Sequence, residues 1–351
     1  MIKYLGSKRS LLPAICRAFS ELDGVRSVID LFSGTARVGH ALKQRGYQVF
    51  ANDHNRYAAV LARCYVESDA ERWLEEARGW LAELSQLPPA PGWFTRLYCE
   101  EARFFHPKNG GRIEAIRERI AAESLPEQLE AILLTSLMEA ADRVDSTVGV
   151  QMAYLKRYAA RAHNDLELRL PELVSASAMG PCRAFELEAL DAAQELQADA
   201  AYLDPPYNQH KYLGNYHIWE TLARWDRPEV YGMTRKRMDA KSRRSAFNSK
   251  PRCAAALKEV LGALQVRYVL VSFSSDGFLS REQLLAMLGE HGKVEVQSHR
   301  YPRYVGARIG IHSPSGEKVG RPGALENEEQ LFVLRLDEPR SGELVSRNVS
   351  Q

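Results

Sequence analysis

The sequence has few cysteines, and they form no paired motif. The five cysteines among 351 residues (Cys16, Cys64, Cys99, Cys182 and Cys253) include no C-x-x-C pair. Zinc ribbons and disulfide scaffolds need such spacings, so the pattern argues against both classes of protein and favours a reducing cytosol. We therefore expect no metal site.

Long hydrophobic runs are also missing. No stretch reaches the roughly 18 consecutive apolar residues that a membrane-spanning helix needs. The opening "MIKYLGSKRSLLPAI" lacks the apolar run of a signal peptide, so we expect no contact with membranes. The phosphate-binding pattern G-x-x-x-x-G-K-[ST] is absent as well. The formal net charge of +2 by itself indicates no particular partner.

Short apolar segments near both ends of the chain predict β-strands. We expect strands at 27–32, 47–54, 182–189, 199–207, 266–275 and 330–336. Between about residue 58 and residue 173, apolar residues recur at spacings of three and four, which predicts helices. This order indicates an α/β fold with a doubly wound, mostly parallel sheet.

The predicted organisation is an α/β core that is interrupted by helices. The core covers 1–60 and 180–336, the helical insertion covers 61–179, and a flexible tail follows at 337–351. Unusual residues collect where predicted strands end, namely Gly34, Asp53, Asp204 and Ser274. Ligands of open α/β sheets bind outside the carboxyl ends of strands, so we expect the functional site there.

A glycine-containing turn follows the first predicted strand. In "DLFSGTARVG", Gly34 and Gly39 allow the backbone to approach a ligand closely. Asp53 ends the next predicted strand, where an acid can bind the two hydroxyls of a ribose. Many strand-to-helix turns contain two glycines, so this signal alone also fits an ordinary turn. The usual dinucleotide-binding glycine pattern is absent.

The stretch "AYLDPPYNQH" carries the chemistry of a binding site for an amino group. Two prolines fix a rigid turn, and the Asp204 carboxylate and the Pro205 carbonyl are both hydrogen-bond acceptors. An exocyclic amino group has two hydrogens to donate to such a pair. Tyr207 offers a flat face to an aromatic ring. These features predict a pocket for a planar heterocycle that bears an amino group.

Three segments together resemble a known family. "KYLGSKRSLL", "DLFSGTARVG" and "DPPY", in this order, are similar to the adenine-specific DNA methyltransferases that include the GATC-methylating enzymes. The resemblance covers 1–60 and 180–336. It implies a Rossmann-like methyltransferase sheet, S-adenosyl-L-methionine as cofactor and double-stranded DNA as partner. It further implies a cytoplasmic, nucleoid-associated prokaryotic enzyme, a monomer or weak dimer, with a cognate restriction enzyme.

The resemblance also implies the roles of individual residues. Lys8 is expected near the carboxylate of the cofactor, Asp53 at its ribose, and Glu188 at its adenine, with Asp191 as the alternative. The family often has glycine at the position of Ala36, which is therefore expected to narrow the pocket without abolishing function. The predicted catalytic residues are Asp204, Pro205, Pro206 and Tyr207. The predicted cofactor-binding residues are Tyr4, Gly6, Ser7, Lys8, Asp30, Phe32, Ser33, Gly34, Thr35, Asp53, Glu188 and Asp204.

Two basic segments that contain aromatic residues predict contacts with DNA. The segment 231–252 carries eight Lys or Arg against one Asp, and 298–310 adds three arginines among two tyrosines. Lys and Arg on one surface are typical of phosphate binding. We expect DNA-recognition segments at 231–255 and 298–325. The predicted DNA-binding residues are Arg235, Lys236, Arg237, Arg243, Arg244, Lys250, Arg300, Arg303 and Arg308.

The expected reaction is methylation of the 6-amino group of a flipped adenine. Chemistry on a stacked base requires its extrusion, which costs a few kcal/mol. Other acceptors remain alternatives: adenine in structured RNA, or the amino group of cytosine, although cytosine methylation commonly goes with serine at the position of Asp204. A further alternative is a catalytically silent DNA-binding protein with this fold. A dehydrogenase is disfavoured because the dinucleotide-binding glycines are missing.

Overall fold

A seven-stranded sheet forms the centre of the protein. The computed structural model describes residues 1–208, 211–274, 277–302, 311–312, 318–320 and 326–336. The strands are β1 (Ser27–Asp30), β2 (Gln48–Asn52), β3 (Arg183–Phe185), β4 (Ala200–Leu203), β5 (Val230–Tyr231), β6 (Lys236–Arg237), β7 (Tyr268–Ser274), β8 (Gly292–Pro302), β9 (Ile311–His312), β10 (Lys318–Gly320) and β11 (Glu326–Leu336).

Helices cover both faces of this sheet. They are α1 (Leu12–Ser20), α2 (Arg37–Lys43), α3 (Arg56–Ala62), α4 (Ala70–Ser85), α5 (Trp93–Thr95), α6 (Pro107–Ala121), α7 (Glu127–Arg143), α8 (Ala189–Glu195), α9 (Tyr212–Asn215), α10 (His217–Arg224), α11 (Cys253–Ala263) and α12 (Arg281–Gly289). No helix in the described ranges is both long and apolar enough to span a membrane.

The sheet order confirms the predicted doubly wound architecture. The strands lie in the order β3-β2-β1-β4-β7-β11-β8. The pairs β1–β2, β1–β4, β2–β3 and β4–β7 are parallel, whereas β11 is antiparallel to both β7 and β8. The chain order reverses between β1 and β4, so the loops after these two strands border a crevice at the carboxyl edge of the sheet.

Alternation along the strands sends side chains into two hydrophobic clusters. Val28 and Tyr202 belong to one cluster, whereas Ile29 and Leu203 belong to the other. The first cluster contains side chains of α1–α4, α6, α7 and α10, and the second contains side chains of α8, α11 and α12. All residues of β4 and β7 are buried, as expected for central strands that are covered on both faces.

The insertion differs from the prediction in its second half. Helices α6 and α7 occupy the predicted helical stretches, but residues 144–182 contain only one short 3-10 helix, Ala160–His163. In this segment, polar side chains and hydrogen bonds outside regular helices pair with the backbone N–H and C=O groups. The Ser146 amide donates to the carbonyl of Phe104 over 2.7 Å, and the Ala159 amide donates to the Ser146 hydroxyl oxygen over 3.0 Å. Gly149 adopts φ +99°, which interrupts any helix.

Several strand boundaries also differ from the prediction. Strand β4 ends at Leu203, directly before Asp204, because Pro205 and Pro206 have no N–H to continue a ladder. Strand β11 begins at Glu326 rather than at residue 330, and it pairs along its whole length with β8, which was not predicted. The predicted tail at 337–351 lies outside the described residues.

Candidate functional site

A cavity of about 210 Å³ opens at the carboxyl edge of the sheet. The turns after β1, β2 and β4 contribute to its walls, together with the N-terminal segment and residues of α8, α9 and α11. Of the predicted catalytic and cofactor-binding residues, those that line the cavity are Tyr4, Gly6, Ser7, Lys8, Asp30, Phe32, Ser33, Gly34, Thr35, Asp53, Glu188, Asp204 and Pro206. These residues come from five separate stretches of the sequence that the fold brings to one place.

The glycine turn after β1 is held by the acid that ends β2. The Gly34 amide donates to Asp53 Oδ2 over 3.1 Å. Gly34 has φ +51°, and a Cβ there would lie 3.2 Å from the Tyr4 ring, so both conformation and space favour glycine. Ala36 also adopts a left-handed conformation, with φ +59°. It is fully buried in the first hydrophobic cluster and lies outside the cavity lining, so it does not narrow the pocket as expected.

Asp30 lies at the bottom of the cavity, at the end of β1. It is 1% exposed, and its Oδ2 accepts a hydrogen bond of 3.0 Å from the Gly39 amide. Burial raises the pKa of this carboxyl to about 7, against the opposing effect of the Gly39 amide. A Cβ at Gly39 would lie 2.9 Å from Val66 Cγ2 and 3.1 Å from Asp30 Oδ2, so glycine lets α2 pack closely on β1.

Tyrosine rings fix the N-terminal segment over the turn. The Tyr4 ring stacks on those of Tyr212 and Tyr216, with centroids 5.2 Å and 4.7 Å away. The Leu5 amide donates to the Tyr216 hydroxyl over 2.6 Å. Gly6 adopts φ +76°, which reverses the chain and directs the following residues toward β4.

The turn "DPPY" presents a carboxylate that is already held by a cation. Asp204 Oδ1 lies 2.9 Å from the Lys8 ammonium nitrogen. Burial raises the pKa of Asp204 to about 6, although Lys8 opposes the shift. Burial alone would lower the pKa of Lys8, but the carboxylate of Asp204 raises it well above its usual value. Lys8 thus faces the acceptor turn, and its predicted contact with a cofactor carboxylate stays a prediction.

Tyr207 lies at the end of the same turn. Its ring packs against Phe273 of β7, with centroids 5.1 Å apart, and the Lys8 ammonium lies 5.3 Å from its centroid. The Phe278 amide donates to the Tyr207 carbonyl over 2.8 Å. These contacts orient the ring from the β7 side, and Tyr207 remains half-buried.

The structure favours Glu188 over Asp191 as the acid beside the cavity. Glu188 lies directly before α8, lines the cavity and is 70% exposed. His54 Nδ1 lies 3.3 Å from its Oε1, and this hydrogen bond lowers the pKa of Glu188. Asp191 is exposed on the first turn of α8 and is not part of the lining.

Some residues of the site were not predicted from the sequence. Asn55 follows the Asp53 turn, Tyr212 comes from a segment that carries no recognisable motif, and Phe247 comes from the basic segment that was predicted to contact DNA rather than this cavity. Phe247 contacts Phe32 edge to face, with ring centroids 5.0 Å apart. Glu329, on β11, lies 2.6 Å from the Lys8 ammonium nitrogen. Nothing in the linear sequence links Glu329 to Lys8, because only the antiparallel strand β11 brings them together.

The cavity walls fit a polar, nucleoside-containing ligand. Ser33 and Asn55 both line the cavity, and each has a buried side-chain oxygen without a hydrogen-bond partner among the described residues. Buried polar atoms without partners are costly, so they are typical of sites that a ligand completes. The Asp53 carboxylate adds a hydrogen-bond acceptor of the kind that binds ribose hydroxyls, and the Phe32–Phe247 pair adds an apolar wall.

The basic segment 231–252 has mixed roles. Arg237 is 3% exposed, and its guanidinium contacts Asp226 over 2.6 Å and Asp239 over 3.1 Å. This burial argues against the prediction that Arg237 contacts DNA, because exposing the guanidinium would break these ion pairs. Arg243 also has a structural contact, since it pairs with buried Glu220 over 2.7 Å and lines the cavity.

The remaining basic residues are less constrained. Arg244 and Lys250 are exposed, Lys236 is half-buried, and Arg235 pairs with Glu101 over 3.0 Å. Arg300 belongs to β8, but its side chain is not described, and Arg303 and Arg308 lie outside the described residues. Their DNA contacts stay predictions.

Three curated proteins illustrate what the chain is similar to. It is 29% identical to modification methylase StsI of Streptococcus sanguinis, over 86% of this chain and 49% of that protein. It is 31% identical to the type II methyltransferase M.FokI of Planomicrobium okeanokoites, over 84% and 48%. It is 30% identical to M.NlaIII of Neisseria lactamica, over 86% and 92%. The chain thus spans about half the length of the first two relatives.

Two further comparisons concern the fold and the family. The crystal structure of TehB from Haemophilus influenzae aligns with 93% of this chain and with 62% of the TehB chain. The TM-score is 0.33 and the sequence identity is 9%, so this likeness carries no argument. The family model for D12 class N6 adenine-specific DNA methyltransferases matches residues 4–274, which include the glycine turn and the "DPPY" turn. The chain belongs to this D12 class family of N6 adenine-specific DNA methyltransferases.

Proposed function

We propose that the protein transfers a methyl group from S-adenosylmethionine to the 6-amino group of an adenine that is flipped out of double-stranded DNA. One observation carries the proposal: the Asp204 carboxylate, in its rigid proline turn, borders the same cavity as the Gly34–Asp53 turn. A hydrogen-bond acceptor for an amino group therefore adjoins a pocket that fits a nucleoside.

The residues that would hold the cofactor follow from the cavity lining. Asp53 would accept hydrogen bonds from the ribose hydroxyls, Glu188 would contact the cofactor adenine, and the Ser33 and Asn55 oxygens would contact its other polar groups. S-adenosylmethionine, when bound, supplies an electrophilic methyl group on a sulfonium. The chain itself supplies position and charge, which account for most of the acceleration in such a transfer.

The target adenine would be held by the "DPPY" turn. Tyr207 stacks on the base, and the amino group donates one hydrogen bond to the Asp204 carboxylate and one to the Pro205 carbonyl oxygen. With the cofactor bound, the nitrogen lone pair would form the new N–C bond to the methyl group that the sulfonium supplies, and sulfur would keep the electron pair of the C–S bond. The nitrogen then releases one proton to water. Asp204 acts mainly as an acceptor, since the methylated ammonium loses its proton readily.

The exposed basic residues of 231–252 and the arginines near the C-terminus would contact DNA phosphates. We further propose a role in a restriction-modification pair, because relatives are named modification methylases and type II methyltransferases. A cytoplasmic, nucleoid-bound protein that works as a monomer or weak dimer fits this role.

Asp204→Ala tests the assignment. We expect this variant to lower methyl transfer by at least about a hundredfold, because a preorganised polar contact is lost. Transfer is measured with tritiated S-adenosylmethionine on duplex DNA from methylation-deficient cells, and calorimetry should show that cofactor binding persists. Asp191→Ala, on the exposed face of α8, is the matched control with wild-type transfer.

The modified base and its context are then identified by single-molecule sequencing of the treated DNA. Methyl incorporation into RNA but not duplex DNA would overturn the choice of partner. Near-normal methylation by Asp204→Ala would overturn the role of the turn.

A further inference from the structure

The Lys8 ammonium group lies between two carboxylates that come from different strands. Its nitrogen is 2.9 Å from Asp204 Oδ1 and 2.6 Å from Glu329 Oε1. The Ser272 hydroxyl of β7 lies 3.0 Å from Glu329 Oε1 and 3.4 Å from Asp204 Oδ1. Lys8 is 6% exposed and Glu329 1% exposed. The four side chains thus form one compact cluster directly behind the acceptor turn.

The charge of this cluster depends on Glu329. Lys8 and Asp204 alone form a neutral pair, whereas Lys8 with two carboxylates carries one net negative charge. Because Glu329 is buried, water screens its charge much less than it would at the surface. The strand register fixes its place, since Glu329 pairs with Ser274 of β7 on one side and His299 of β8 on the other.

This charge has a consequence for methyl transfer. The amino nitrogen gains positive charge as its bond to the methyl group forms, and a preorganised negative group nearby stabilises that change. We propose that Glu329 is a positioning residue that holds Lys8 against Asp204 and leaves the acceptor cluster with one net negative charge, which favours attack by the amino nitrogen. This inference rests on the proposed adenine methylation.

Glu329 also sets the protonation of Asp204. Its negative charge raises the pKa of Asp204, whereas the Lys8 ammonium lowers it. Replacing Glu329 by the neutral, isosteric Gln therefore lowers the pKa of Asp204 and moves the acidic limb of the activity profile to lower pH. A loss of packing alone would not move that limb. The titratable groups that act on Asp204 or feel its charge include Lys8, Asp30, Tyr202, Tyr212 and Glu329, and Tyr207 acts on Lys8.

The test compares Glu329→Gln with Glu295→Gln, a matched change at an exposed position of β8. Single-turnover methyl transfer to duplex DNA is measured from about pH 5 to about pH 9. Cofactor binding is measured by calorimetry. We expect Glu329→Gln to slow transfer about tenfold or more and to move the acidic limb to lower pH. Cofactor affinity should stay within about twofold, and Glu295→Gln should match the wild type.

Glu329→Asp keeps the charge and serves as the second variant. We expect its acidic limb at the wild-type pH, with a transfer rate above that of Glu329→Gln. Should the Gln variant not fold, the position of this limb relative to the wild type provides the test. The inference is overturned if the wild type methylates adenine and Glu329→Gln retains both its rate and its acidic limb. It is also overturned if Glu329→Asp shows a limb at lower pH. A wild type that methylates no adenine would instead overturn the proposed function.

Discussion

Three aspartate side chains at the C-terminal edge of the sheet are buried or half-buried. Asp30, Asp53 and Asp204 end three neighbouring strands or start the turns behind them, and burial raises the pKa of each. Buried carboxyl groups with raised pKa values cluster at functional sites, because such sites hold carboxyl groups for contact with a ligand rather than with water. Here they surround the proposed cofactor pocket and the acceptor turn.

Asp30→Asn should change how stability depends on pH. The pKa of Asp30 rises from 3.8 to about 7 on folding, so its favourable contribution is complete below pH 3.8 and is lost as the pH rises through 7. The total loss is on the order of 4 kcal/mol at most. Asn does not titrate and has no such loss. Thermal unfolding without cofactor should therefore show that the stability of the variant rises relative to that of the wild type between pH 5 and pH 8.

Asp23→Asn, at an exposed position before β1, is the control for this measurement and should follow the wild type at every pH. A difference between Asp30→Asn and the wild type that stays constant from pH 5 to pH 8 would show that Asp30 does not titrate in this range.

At the scale of elements, the short hairpin β5–β6 and the segment after it carry most of the basic residues between α10 and α11. Arg237 ties this segment to the core, since its guanidinium contacts Asp226 and Asp239 and donates to the Thr221 hydroxyl of α10 over 3.4 Å. Arg244 instead lies on the surface, where its Nε donates to the Lys241 carbonyl. Two arginines seven positions apart therefore have opposite expected roles.

Arg237→Ala and Arg244→Ala separate these roles. We expect Arg237→Ala to lower the free energy of unfolding by about 1.5 to 3 kcal/mol, because the buried guanidinium loses its charge-assisted hydrogen bonds to the partly exposed Asp226 and Asp239. Arg244→Ala should leave stability unchanged, weaken binding to duplex DNA, and reduce the slope of log affinity against log salt by about 1. Denaturant unfolding and fluorescence anisotropy at several salt concentrations provide the two readouts.

Each variant is the control for the other. Weakened DNA binding by a stable Arg237→Ala, with no effect of Arg244→Ala, would reverse the assignment and restore Arg237 as a DNA contact.

At the scale of the whole molecule, the insertion and the sheet share one core. Side chains of α4, α6 and α7 belong to the same cluster as Val28 of β1 and Tyr202 of β4. The N-terminus is tied to the insertion as well, since its amino group pairs with Glu139 of α7 and the Lys3 amide donates to Asp142 over 2.9 Å. The N-terminal segment that carries Lys8 thus depends on the insertion for its position.

We therefore expect the core and the insertion to unfold together. Differential scanning calorimetry should show one transition, with the calorimetric enthalpy equal to the van't Hoff enthalpy. Leu133→Ala, at a fully buried position of α7, should shift that transition to lower temperature by removing about 2 to 5 kcal/mol. Two resolved transitions, with only one shifted by Leu133→Ala, would show that the insertion is an independent domain.

The sequence by itself determined the fold class and the polar residues that the strand ends contribute to the cavity. Apolar strands followed by Gly34, Asp53 and Asp204 required no long-range information, because each strand and its turn are encoded in fewer than about ten neighbouring residues. The rigid "DPPY" turn is similarly local, since proline fixes its own backbone. The family resemblance added the N-terminal segment with Lys8.

Only the tertiary structure decided which charges meet. Arg237 belongs to a basic run in the sequence, yet folding buries it against two aspartates. Glu329 stands in an acidic run, yet strand β11 inserts antiparallel beside β7 and brings it 2.6 Å from Lys8. The physical reason is that electrostatic partners are selected by distance in space, and 321 positions separate these two residues along the chain.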